Sequence, residues 1–548
     1  MSDSTDLTES TDLTESTDLS ESTDLTESTD SASSMTGAQA LVHALVDSGV
    51  DVCFANPGTS EMHFVAALDT NPKMRCVLGL FEGVVTGAAD GYARMSGVPA
   101  ATLLHLGPGL GNGLANLHNA KKAGSPMVNI VGEHATYHRQ YDAPLTSDIV
   151  GVATPMSHWV RMCDTADNVA AMGAEAVETS LVAPGQIATL ILPADTAWNT
   201  TTNKAVAGSR PSEPVAPDAA AIDGAARALA SGQRCTIYLG GPLSESRVRT
   251  AGRIAAATGA QIIGSTWAPR HEMGAGRTPI RRLAYFGEQA AEQLDGTEHM
   301  IIIGATPPVT FFAYPDKPNW LTPDGAEIYE ICDKSGDIDA ALEALCDAGG
   351  ASGHEPAQWE LARPGLPSGD LTPLAIGQAV ANLMPEDSIM VNESGTAGAG
   401  YQMGMRGAPA HSFLALTGGS IGYGIPASVG AAVACPDRKV LSMQADGAGM
   451  YTLQGLWTQV REALDITTVI FANRKYAILQ YEFDRVGAHN PGPKAMSMLD
   501  LGNPDLDWVS LAQGMGMPAT RATTADEFNV AMVASLAEPG PSLIEALI

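Results

Sequence analysis

Residues 441–478 read LSMQADGAGMYTLQGLWTQVREALDITTVIFANRKYAI. An apolar run ends at Ala445-Asp446-Gly447, and a second, Thr467 to Ala472, ends at Asn473, 27 positions after the aspartate. Between them lies a helical pattern, LQGLWTQVREA. Strand, helix and strand in that order predict a βαβ unit, and in a parallel α/β sheet ligands collect beyond the carboxyl ends of the strands. Asp446 and Asn473 both occupy such ends. Gly447 and Gly449 leave room beside the backbone, and a helix start next to glycine suits an anion. A carboxylate, an amide oxygen and an anion site together suggest Mg²⁺ gripping a diphosphate. The ion takes about six oxygens at about 2.0–2.1 Å. Asp446, Asn473, the main-chain carbonyl of Lys475, two diphosphate oxygens and a water complete that set. The plainer reading, two turn residues after two strands, fits the strand–helix–strand context less well.

Outward from this stretch the chain has 548 residues, enough for three or four domains. Its 61 acidic and 30 basic residues leave a net charge of −31, which argues against a nucleic-acid surface. No apolar run is long enough to span a bilayer, and no signal-peptide pattern opens the chain. Seven scattered cysteines with no CxxC pair point to a reduced, cytoplasmic protein. Residues 4–30 repeat the hexapeptide STDLTE with small variations, one Leu and two acids per unit. So little apolar surface cannot offset chain entropy, which predicts a disordered acidic tail over 1–34; four and a half uncapped units make a poor solenoid.

After the tail, apolar runs alternate with helical patterns. VCFAN, RCVLGLF, AATLLHL, MVNIVG and QIATLILP read as the strands of a first domain over 35–200. A polar, Pro-rich linker covers 199–218. CTIYLGG, AQIIGST, HMIIIGAT and AEIYEIC form a central α/β domain over 215–348, and a second linker runs from about 347 to 370. SIMVNE, KVLSMQAD, TTVIFAN and PSLIEAL form a third domain over 370–548. The expectation is three consecutive doubly wound parallel-sheet domains behind an acidic tail. GGSIGYG does not fit G-x-G-x-x-G, so a nicotinamide site is set aside.

The ADG…AN stretch resembles the thiamin diphosphate motif of the decarboxylase and acetolactate synthase superfamily, GDG followed after about 26 residues by NN. Ala445 and Ala472 replace the first Gly and the first Asn, while the metal-binding Asp446 and Asn473 stand. FEGVVTGAADGYAR resembles the segment that carries the cofactor-activating glutamate, here Glu82. NESGTAG and TGGSIGYGIPASVGAA resemble the segments that hold diphosphate and pyrimidine. The resemblance covers about Thr36 to Ile548. It implies a pyrimidine-binding, a middle and a diphosphate-binding domain, with Asn392, Gly395, Thr396, Gly447, Ala448, Tyr476, Ala477 and Ile478 around the cofactor. Gly419 accepts its amino group and Ile421 props its two rings apart. Mg²⁺ is held by Asp446, Asn473 and Lys475. Glu82 comes from one chain and the metal motif from another, so a homodimer is the minimum and a homotetramer the usual assembly.

NPGTSE and LLHLGPGLGNGLANLHNA resemble benzoylformate decarboxylase, whereas LQYEFDR resembles acetolactate synthases. By the first likeness His105 is an active-site proton carrier, and Thr59 touches the substrate carboxylate. Leu479 lies at the substrate. A buried carboxylic acid at Glu82, set among Leu80, Phe81 and Val84, can share a proton with the cofactor's pyrimidine nitrogen. His134 and His138 are alternative proton carriers. Other features depart from both groups. PPVTFFAYP has Ala313 where the decarboxylase has a histidine, and LPADTAW has Ala194 where synthases carry Lys. The flavin-contacting segment has no clear counterpart, so FAD is neither supported nor excluded. The implied activity is an acetolactate synthase-like attack on a 2-oxo acid, loss of CO₂ to an enamine, and protonation or ligation to a second carbonyl. A benzoylformate decarboxylase-type lyase, a flavin-bound oxidase and a non-catalytic cofactor-binding paralogue are the alternatives.

Overall fold

The computed structural model describes residues 34–203, 207–208 and 213–548, so the acidic repeat before Ser34 lies outside the described residues. Three sheets built mainly of parallel strands follow one another along the chain, as the alternating pattern predicts. The first has six strands, all parallel, with Ala100–Leu104 and Met127–Glu133 at its centre. Its first helix, Gly37–Asp47, is started by a capping box between Thr36 and Gln39. The second sheet has five parallel strands, including Cys235–Leu239 and His299–Ile303. The third has seven. There Val440–Ala445 lies between Ser388–Glu393 and Ile466–Ala472, all parallel. Ile466–Ala472 is buried at every position, the pattern of a strand covered on both faces. Each aliphatic side chain sealed this way contributes about 1.5–3 kcal/mol of burial.

Short strands escaped the apolar-run reading. Trp159–Met162 joins the first sheet, while His411–Ala415 and Ala519–Ala522 join the third. Arg270–Met273, from the central stretch of the sequence, crosses over to become the antiparallel edge of the third sheet. Its four residues, Arg270, His271, Glu272 and Met273, include three polar side chains, so no apolar run marks it.

The first and third sheets are joined by helices Glu82–Ser96 and Gly424–Ala434, which pack backbone to backbone. A Cβ on Gly91 would overlap the Ala427 carbonyl, one on Gly430 the Ala88 carbonyl, and one on Gly87 would sit 2.7 Å from Pro426. Small residues on both helices permit this approach and draw the amino end of the Glu82 helix toward the loop before Gly424. Among the described residues no helix is long and apolar enough to cross a membrane.

Candidate active site

The ends of the two strands in the opening stretch meet. Ala445 and Phe471 are register partners, so Asp446 and Asn473 leave the sheet side by side. Asp446 is 3 % exposed; its Oδ1 accepts the Gly447 N–H at 2.8 Å and its Oδ2 the Arg474 N–H at 2.6 Å. Arg474 takes a left-handed conformation, φ 57°, that turns the chain back over the aspartate. Asn473 Oδ1 accepts from the Lys475 N–H at 3.1 Å. No hydrogen bond reaches the Lys475 carbonyl among the described residues. Burial pushes the Asp446 carboxyl up from its ordinary value, and backbone donors from Arg474 and Gly447 oppose this. The expected helix beyond the glycines differs in one respect. Asp446–Gly449 forms a single helical turn, and the amphipathic helix starts only at Gly455. Tyr476 packs over Gly447, where a Cβ would lie 2.5 Å from its ring, and helix Ala477–Arg485 begins there. Ala477 and Ile478 are half-buried in its first turn, and Leu479 is 46 % exposed. From the neighbouring strand, Gly395 and Thr396 form a turn against Ala445, and Asn392 Oδ1 accepts from Ser394 Oγ at 2.8 Å.

The loop 417–424 is gripped from both sides. Gly419 has φ 72°, open to glycine at little cost, and the Phe311 ring stacks where its Cβ would be. Asn119 donates to the Ser420 carbonyl at 2.8 Å, and Asn116 bridges the Gly83 and Gly422 carbonyls at 2.8 and 3.1 Å. The buried Asp90–Arg94 pair lies beneath; Arg94 donates to Ala415 O, Tyr423 Oη and Thr417 Oγ1 at 2.6–2.9 Å. Ile421 is thereby held half-buried against the core shared by the two domains.

From the other side Glu393, fully enclosed, accepts the N–H groups of Gly422, Tyr423 and Gly424 at 2.8, 3.2 and 2.8 Å. These include donors that a helix amino end leaves unpaired. Burial pushes the Glu393 carboxyl up from 4.5 to about 7, against those three donors. The folded chain therefore holds this proton more tightly than the unfolded chain. The contribution is present below pH about 4.5 and is lost as pH rises through about 7. Thermal melts of the parent are expected to fall across that window more steeply than those of Glu393→Gln, which cannot titrate; parallel slopes would remove the assignment.

Glu82 opens its helix as the first residue and is 7 % exposed. Its surroundings differ from expectation. Leu80 points outward at 48 % exposure, and only Val84 of the three named neighbours is fully buried. The carboxylate instead accepts from Asn112 Nδ2 at 2.9 Å and fills the notch beside Gly109, where a Cβ would stand 2.8 Å from Oε1. The same notch is walled by His105, whose Cβ would lie 3.3 Å away, so the two residues flank one glycine. His105 sits at the amino end of helix Leu106–Ala123, directly after its strand. Its Nδ1 is 2.8 Å from Glu61 Oε2. Thr59 is exposed in the short turn that carries Glu61. His134 and His138 meet edge-to-face at 5.4 Å, and His138 lies tilted against Tyr141 at 5.7 Å, a group of their own beyond the next strand. Ala313 lies past Phe311 and Phe312, both part-exposed; Phe311 joins Trp267 and Tyr285 along a cavity of about 540 Å³.

Comparison with known proteins places this geometry. Residues 35–158 match the thiamine pyrophosphate enzyme N-terminal TPP-binding domain, and residues 393–546 match the C-terminal TPP-binding domain. "Putative acetolactate synthase large subunit IlvX" of Mycobacterium tuberculosis is 53% identical over 515 residues, 93% of this chain and 99% of that protein. The chain belongs to the thiamine pyrophosphate enzyme family. Benzoylformate decarboxylase of Pseudomonas aeruginosa is 30% identical over 527 residues, covering 91% of this chain and 96% of its own. In fold, the chain matches the Rhodococcus jostii RHA1 thiamine diphosphate-dependent 4-hydroxybenzoylformate decarboxylase with a TM-score of 0.80 at 24% identity, over 93% and 98% of the two chains.

The residues present fit the family's cofactor. Each Asp446 oxygen has one backbone donor and so retains lone pairs, and the Lys475 carbonyl is free to coordinate. Among the described residues no group of three or more His, Cys, Asp or Glu side chains could hold a metal ion. A hard cation at Asp446 would draw its other ligands from amide, backbone, water or bound diphosphate oxygens. Sequence reasoning missed Glu393, Asn112, Asn116 and Asn119. Glu393 stood in the quoted NESGTAG without a role, and the three asparagines repeat at helical spacing in GLGNGLANLHNA, which was the available signal.

Proposed function

We propose that the protein is a thiamin diphosphate- and Mg²⁺-dependent enzyme that removes CO₂ from a 2-oxo acid, then protonates the product carbon or joins it to a second carbonyl. The observation that carries this reading is the turn in which Asp446, at the end of one strand, accepts the Arg474 N–H beside Asn473, at the end of the next. In this reading Asp446, Asn473 and the Lys475 carbonyl hold Mg²⁺. Asn392, Gly395, Thr396, Gly447 and Ala448 receive the diphosphate, and Tyr476, Ala477 and Ile478 cover it. When bound, the cofactor supplies a nucleophilic carbon and an electron sink for decarboxylation. The Gly419 carbonyl accepts its amino group, and Ile421 sets the angle between its rings. Glu82 holds a proton at the pyrimidine nitrogen, with Asn112 fixing the carboxylate. Thr59 and Leu479 contact the substrate, and the aromatic wall at Phe311 suits an apolar substituent. Glu82 of one chain serves the metal turn of another in a homodimer or homotetramer. The exposure of Leu80, Tyr451 and Leu479 next to site residues supports such a cover.

His105 beside Glu82 favours protonation, and so aldehyde release, over ligation. The test is a panel of aliphatic and aromatic 2-oxo acids, with and without acceptor aldehydes, assayed for CO₂ and products. CO₂ release that requires the cofactor is expected for at least one apolar 2-oxo acid, with aldehyde as the main product. Absence of CO₂ release across the panel would overturn the reading.

A further inference from the structure

Glu61 lies in the turn after Gly58, and its side chain is 1 % exposed. Its Oε2 accepts the Gly58 N–H at 2.7 Å and lies 2.8 Å from His105 Nδ1. Its Oε1 is buried with no hydrogen-bond partner among the described residues. Two glycines make room for the pair: a Cβ on Gly58 would overlap the His105 ring, and one on Gly132 would overlap Glu61 Oε1. The three atoms nearest that Gly132 position all belong to the Glu61 side chain. The pair is thus seated between two strand ends, and His105 Nδ1 is committed to Glu61. His105 Nε2 has no partner among the described residues, and the imidazole is 24 % exposed. The ring's far side is therefore the one available to a ligand in the notch shared with Glu82.

We propose that Glu61 is a positioning residue that fixes the orientation and tautomer of His105, keeping Nδ1 engaged and presenting Nε2 as the atom that exchanges a proton with the reacting carbon. The inference rests on the 2-oxo acid reading. In the step it serves, the Nε2–H bond breaks and a C–H bond forms at the product carbon. The imidazole is left neutral with its remaining proton between Nδ1 and Glu61, and water returns a proton to Nε2. A carboxylate behind a histidine acts in this way in other proton-transfer sites, because the second ring nitrogen is free for chemistry only when the first is held. Burial pushes the Glu61 carboxyl up from its ordinary value, while the Gly58 and His105 hydrogen bonds oppose it. Gln at this position offers an amide that can donate to Nδ1 and reverse the tautomer.

The test uses the full chain with Glu61→Gln and, separately, Gly132→Ala, which displaces the carboxylate without changing any charge. Loss of kcat for aldehyde formation by about 10²-fold or more is expected from each. KM should change little, because the interaction acts on the chemical step and not on binding. The double variant should lose no more than the worse single, since both remove one coupled unit. A readout independent of turnover is the imidazole ¹⁵N and ¹H spectrum of histidine-labelled protein, with His105→Gln to assign the signal. The parent should show His105 in the Nδ1–H tautomer, and both variants should lose that signal. Parent-like kcat in Glu61→Gln, or a parent spectrum without the Nδ1–H tautomer, would overturn the proposal. Should no 2-oxo acid be decarboxylated, the functional reading falls, while the spectrum still decides whether Glu61 sets the tautomer.

Discussion

Glu82→Gln is expected to lower turnover by roughly 10²–10⁴-fold while the fold and cofactor binding persist. The amide is nearly isosteric and keeps an oxygen for Asn112, so the notch beside Gly109 stays filled. What it cannot do is hold a proton that moves to and from the pyrimidine nitrogen. The loss therefore belongs in kcat and kcat/KM together, the mark of an interaction made in the transition state. Steady-state CO₂ release and thermal melts decide it. Activity within a few-fold of the parent would remove Glu82 from the mechanism, and a collapsed melting temperature would assign it a structural role at the first turn of its helix.

Asp446→Ala should produce the second large loss, in cofactor retention. The side chain is the one carboxylate at the paired strand ends, and it also ties down the Arg474 turn that carries Asn473 and Lys475. On the proposed reading, removing it would delete an anionic ligand of the hard cation and loosen the other two ligands at once. Thiamin diphosphate recovered after desalting should fall to near zero, and a large excess of Mg²⁺ and cofactor should restore part of the activity. Retention equal to the parent would overturn the metal assignment.

The paired oxygens at the strand ends were legible because two strongly apolar runs, one fully buried along its length, stopped at Asp446 and Asn473. Parallel pairing then did the rest. The order of sheets was legible for the same reason. What stayed hidden was whatever did not depend on apolar periodicity. Arg270–Met273 pairs across domains through its backbone, with charged side chains that suggest surface. Glu393 acts on three backbone N–H groups supplied by the loop, and a loop's fold is not written in its pattern of apolar residues. Glu61 and His105 are 44 residues apart and meet only because their strands are sheet neighbours. The single turn at Asp446–Gly449 was not legible, because the helical pattern of apolar residues begins only beyond it, at Leu453.

The central claim is that Asp446, Asn473 and Lys475 form a Mg²⁺–diphosphate clamp. Calorimetric titration of the metal-free protein tests it most directly, using thiamin diphosphate with Mg²⁺, thiamin diphosphate with EDTA, and thiamin with Mg²⁺. Binding is predicted in the first arm alone. Equal affinity in EDTA, or for thiamin lacking its diphosphate, would contradict the account.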